Sequence, residues 1–146
     1  MRIIIILSLL GLTACNVSHG LKEAPISGVH SNFKAYVDEY CDIKQEVLNL
    51  PCNDIPMQYG QVKDKNSNVI RLGECRFGSV KPHILINKDL PKGISLRQLI
   101  YHEMIHCDME YHKHDDSGLM YEYHNTSWDN SKDMLELRKF FNNYKK

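Results

Sequence analysis

His102, Glu103 and His106 stand together as His-Glu-Met-Ile-His. On a helix, residues four apart are separated by about 40° around the axis, so both imidazoles can reach one ion from the same face. Imidazole nitrogen is a natural ligand for zinc. A carboxylate beside the pair can serve as general base toward a water molecule that the metal acidifies. Each residue type therefore has its own task, which sets the pattern apart from two histidines on a wet helix surface. Leu96, Leu99, Ile100, Met104 and Ile105 surround the pair. They argue for a buried helix, in which unpaired polar groups would be costly.

A catalytic zinc needs a third protein ligand and an open fourth position. His112 and His114 both follow closely, and Glu110 and Glu122 are carboxylate alternatives. The run from His102 to His112 reads His-Glu-x-x-His-x-x-x-x-x-His, and Met120 follows within Asp116-Ser117-Gly118-Leu119-Met120-Tyr121. This segment resembles the metzincin clan of metallopeptidases, and its spacing and Leu-Met-Tyr ending are closest to the matrixins. The resemblance implies a minimal zincin-like fold and a peptide or protein substrate. It implies one zinc on His102, His106 and His112, Glu103 as the base, and Met120 in a turn that floors the ligands. It covers only the active helix and about fifteen residues beyond it. Met109 stands where the clan has glycine. A helix that simply continued would carry His112 away from the ligand face, so the chain must leave the helix between Cys107 and Tyr111. His114 therefore stays open as the alternative third ligand. Tyr121, Tyr123 and His124 lie beyond the turn, where they could donate to a developing oxyanion or line a pocket.

Gly73-Glu74-Cys75, followed by an Ile-rich strand and the helix motif, is also similar to the SprT-like family. That family implies an intracellular, DNA-associated protein, against which the charge balance and the leader described below both speak. A reading from another class is a non-catalytic zinc- or partner-binding lipoprotein of the cell envelope. The retained Glu103 opposes it, because binding alone needs no base.

The elements that must position these residues read as α+β. Phe33, Tyr36, Val37, Tyr40, Ile43 and Val47 recur at threes and fours and predict a first helix, which Pro51 closes. Residues 55–62, 69–77 and 80–87 predict a small sheet of three strands or slightly more, the last two as an antiparallel hairpin. By analogy with zincins, the strand at 80–87 is expected at the sheet edge, where it could bind extended peptide. Ser95 is a natural N-cap with Gln98 three residues on, so the active helix should run from Leu96 to at least Cys107. A last helix near 131–144 carries Met134, Leu137, Phe141 and Tyr144 on one side.

Residues 1–14 have the short positive start and apolar run of a signal peptide, too short to span a bilayer. The run ends in Leu12-Thr13-Ala14-Cys15, which resembles the lipobox of bacterial lipoproteins. That resemblance implies a lipid on Cys15, a tether over 15–31 and a metallopeptidase domain over 32–146. The chain would then be held at the bacterial envelope, on the outer membrane facing the periplasm or on the cell surface. With 18 Lys and Arg against 18 Asp and Glu there is no basic footprint for nucleic acid, and one small domain suggests a monomer. Cys41, Cys52, Cys75 and Cys107 remain, an even number suited to disulfides in an exported protein. Three pairings are open to them.

Overall fold

The computed structural model describes residues 27–62, 71–77, 81–115, 118–120 and 130–145. The fold is α+β, in the order α1 (Ser31–Leu48), β1 (Met57–Gly60), β2 (Gly73–Arg76), β3 (His83–Asn87), α2 (Leu96–Asp108) and α3 (Asn130–Tyr144). The leader, Cys15 and most of the tether lie outside the described residues, as do Tyr121, Tyr123 and His124. No described helix is long and apolar enough to cross a membrane.

Helix α1 buries Phe33, Tyr40 and Ile43, with Tyr36, Val37 and Val47 packed beside them, as the apolar spacing predicts. It stops at Asn49, which takes the left-handed conformation (φ 56°) and returns its N–H to the Gln45 carbonyl. Asparagine tolerates that region better than most residues, and Pro51 disfavours helix just beyond it. Val29, within the segment read as tether, makes an isolated parallel bridge to Met57.

The sheet order is β1-β3-β2. β2 and β3 pair antiparallel as expected, and β1 adds to the other side of β3 in parallel. β3 is therefore the central strand, which overturns the expectation that it offers a free edge to peptide. Its run Ile84-Leu85-Ile86 is buried throughout, and both its backbone edges are taken. Such a continuous apolar run belongs to a strand covered on both faces rather than to a half-exposed edge.

Helix α2 lies across this sheet and contacts α1, β2, β3 and α3. Ser95 caps it by accepting the Gln98 N–H, and the same hydroxyl donates to buried Asp133 of α3 at 2.7 Å. Leu99, Ile100, Met104 and Ile105 are fully buried. Each such side chain contributes about 1.5–3 kcal/mol relative to an exposed one. On α3, Leu137 and Phe141 reach the core and Met134 packs against it, but Tyr144 stays about half exposed. Arg138 fastens α3 to α1 through both carboxylate oxygens of Glu46 at 2.7 Å.

Two disulfides, Cys41–Cys52 and Cys75–Cys107, resolve the open pairing. The first ties α1 to the chain that follows it, and the second ties β2 to α2. The C-terminal end of α2 is held by Asp108, whose side chain is wholly buried. Its carboxylate accepts from Lys44 (2.7 Å), Tyr40 (3.2 Å) and the Asn53 backbone (2.8 Å). Lys44 also donates to the Pro51 carbonyl, so both charges are fully partnered inside the protein. Asp108→Ala is expected to destabilise the fold by about 3–5 kcal/mol in denaturant unfolding, because it strands the Lys44 ammonium. Asp38→Ala, at the exposed Lys34–Asp38 pair, should cost under about 1 kcal/mol.

Candidate metal centre

Helix α2 places His102 and His106 one turn apart, and a buried helix must satisfy both ends of each imidazole. At the inner ends this is done by backbone carbonyls. His102 Nδ1 lies 3.0 Å from the Leu119 carbonyl oxygen, and His106 Nδ1 makes a short hydrogen bond to the Tyr111 carbonyl oxygen. A ring that donates its Nδ1 proton keeps a lone pair on Nε2. Those Nε2 atoms face each other at 3.0 Å. His114 adds a third Nε2 at 3.2 Å from that of His106.

The three nitrogens form a group that could hold a metal ion, all within 4.8 Å of one another. Nitrogen lone pairs brought this close repel unless a cation or proton lies between them. Two nitrogens bound at about 2.0–2.1 Å in tetrahedral geometry would stand roughly 3.3 Å apart, which matches the contacts seen. His102 is buried, His106 half-buried and His114 exposed, so the group opens toward solvent on the His114 side. Burial pushes the His106 pKa down, opposed by its bond to the Tyr111 carbonyl and aided by the neighbouring His114 and His112. The neutral imidazole so favoured is the form that binds metal.

The third imidazole is thus His114, and His112 is not part of the group. His112 instead packs edge-on against Phe77 at the end of β2, ring centres 5.0 Å apart. The cause lies in how α2 ends. Met109 caps the helix in a right-handed conformation (φ −102°), and the positive φ needed to leave it falls on Glu110 (φ 50°). The exit comes one residue later than the metzincin glycine, and the third histidine comes two residues later than in the metzincin pattern. Exposed Glu110 shapes this turn and is not among the grouped ligands; Glu122 lies outside the described residues. Met120 is buried in the core, and its carbonyl closes a turn by accepting the Asp115 N–H at 3.0 Å. Gly118 enters that turn at φ 83°, and Leu119 within it supplies the carbonyl that orients His102.

Glu103, which follows His102 on α2, is buried, and its carboxylate accepts the backbone N–H of Cys75 on β2. Burial raises its pKa to about 8, the Cys75 bond opposing this, with Glu74 raising it and Arg71 lowering it. Sequence reasoning missed this β2 contact and the two carbonyls that orient the imidazoles. The lone glycine inside a strand, Gly73, was the available sign that something approaches the backbone closely there. A cleft of about 410 Å³ lies between the 111–120 segment and α3, with Tyr111, Leu119 and Phe140 on its walls. No protein-family model, curated protein or solved structure matches the chain.

Metal binding should track the observed group. The protein should take up one divalent metal ion per chain, His114→Ala should lose it and His112→Ala should keep it, by elemental analysis after dialysis. The metal-free protein should also carry a pH signature of Glu103. Its folded pKa lies above the ordinary value of 4.5, so the contribution of Glu103 to stability is most favourable below about pH 4.5 and is lost as pH rises toward 8. Without metal, Glu103→Gln should remove that decline and exceed the wild type by a few kcal/mol at pH 8 in denaturant unfolding.

Proposed function

We propose that this chain is a zinc-dependent hydrolase of peptide bonds. The observation that carries the reading is the convergence of the Nε2 atoms of His102, His106 and His114, two of them on the helix that also carries the buried Glu103. Three imidazoles without a thiolate suit zinc. The cysteines nearest the site, Cys75 and Cys107, are bound to each other and offer no competing ligand. Bound zinc would supply Lewis acidity, lowering the pKa of water and polarising a carbonyl.

The chain's own residues supply the rest. Three imidazoles would leave one side open for substrate, and the exposed position of His114 puts that opening at the surface. Glu103 takes a proton from the attacking water as the new C–O bond forms. It gives the proton to the amine nitrogen as the C–N bond breaks, so acid and amine leave and the enzyme is never acylated. The hydrogen bond from Cys75 holds the carboxylate while it does so. The nearby cleft has room for a substrate side chain.

Two disulfides are at home in an oxidising compartment, which supports an exported protein. With the lipobox at Cys15, the proposed setting is the bacterial envelope, the protein acting there as a lipid-anchored monomer on peptides or proteins. The ligand spacing set by His114 departs from the metzincin pattern. The proposed chemistry therefore rests on the assembled site and not on membership of that clan.

The test is hydrolysis of a quenched fluorescent peptide library by the zinc-loaded chain. Turnover should be abolished by a chelator and restored by zinc. Glu103→Gln should bind zinc normally while kcat falls by about 10²–10⁴-fold. Stoichiometric zinc with no hydrolysis of any peptide would instead mark a zinc-binding envelope module.

A further inference from the structure

The register of the sheet says which way each N–H of β2 points. Gly73 faces Ile86 and Cys75 faces Ile84 across the β2–β3 ladder, and the Asn87 N–H donates to the Leu72 carbonyl at 2.8 Å. Bonded and non-bonded pairs alternate along an antiparallel ladder. Leu72, Glu74 and Arg76 therefore spend their backbone groups on β3, whereas those of Gly73 and Cys75 point away from it. The Ile84 N–H agrees, since it donates to Pro56 on the opposite side of β3 at 2.8 Å. The outward edge of β2 is where Glu103 lies. Its carboxylate takes the Cys75 N–H, and a Cβ built at Gly73 would stand 3.0 Å from Glu103 Oε1 and Cγ. Cβ atoms essentially never stand closer than that, so an alanine at 73 would press on the carboxylate. Cys75 is also the residue through which β2 is bonded to Cys107, four positions along α2 from Glu103. The strand cannot draw back from the helix without breaking that link.

We propose that Gly73 and the Cys75 N–H are positioning elements for Glu103, held at working distance by the Cys75–Cys107 disulfide. The outer edge of β2 serves as a backbone seat for the carboxylate: one residue donates to it and its neighbour leaves space for it. The seat fixes both the distance and the direction of the base, where a free glutamate side chain would sample several rotamers.

The proposal rests on the hydrolase reading for its consequence, but its geometry is testable without substrate. Backbone amide hydrogen exchange of the full, oxidised chain is the measurement. The Cys75 amide lies on an edge that pairs with no other described strand, yet it should be protected, and Glu103→Ala should abolish that protection while Glu74 and Arg76 keep theirs. Gly73→Ala should weaken protection at Cys75 alone. The double variant Cys75→Ser/Cys107→Ser should do the same at residue 75, with Cys41→Ser/Cys52→Ser as the control that leaves it intact. An unprotected Cys75 amide in the wild type, or protection indifferent to Glu103, would overturn the proposal whether or not the chain hydrolyses peptides. In hydrolysis, Gly73→Ala should lower kcat at least about 10-fold with zinc content and KM unchanged. In a Glu103→Gln background it should cost nothing further. Equal losses in both backgrounds would make Gly73 merely structural and refute its assigned role.

Discussion

Helix α2 is covered on almost every side, and this burial constrains everything around it. A buried apolar helix is simple to stabilise, but α2 also carries His102, Glu103 and Asp108, which give up water when the helix packs. Each must recover its hydrogen bonds from a protein partner or destabilise the fold. Asp108 recovers them from Lys44, Tyr40 and Asn53, Glu103 from a strand N–H, and the imidazoles from two carbonyls in the segment after the helix. These partners come from α1, β2 and the 111–120 segment, so satisfying one helix dictates how the rest of the chain must approach it. The site is a by-product of that bookkeeping only in part. Three imidazole nitrogens pointed at one another satisfy nothing internal, and they make sense as a receptacle for a cation.

Much of this was legible beforehand because local signals carried it. The Ser95 cap, the threes-and-fours spacing in α1 and the turn-separated strands specify elements through short-range physics, and the elements stand close to where the sequence puts them. His102, Glu103 and His106 were readable because helical geometry alone fixes their mutual placement. The third member of the imidazole group was not readable in the same way. It depends on where a helix ends and which residue accepts a positive φ, and Glu110 is not a residue whose type announces that choice. The central position of β3 was equally hidden. It depends on β1 returning in parallel from across the sheet, a long-range pairing for which Met57–Gly60 carries no local mark.

Two segments packed against α2 divide its polar side chains between them. The stretch after the helix faces the metal side, orienting two rings with its carbonyls and contributing the third ring itself. Strand β2 faces the Glu103 carboxylate, and the ring of His112 packs against Phe77 just after that strand. The imidazole group and the buried carboxylate thus draw on different parts of the chain, although His102, Glu103 and His106 lie close together on one helix.

The link between Cys75 and Cys107 spans 32 residues, and it has a consequence for when the molecule becomes competent. A chain still in a reducing compartment can form α2 and bring its histidines together, yet β2 is not fastened to the helix. Full assembly then waits on an oxidant. For the exported hydrolase proposed above, that dependence would work as a delay, holding the site incomplete until the chain meets an oxidising compartment.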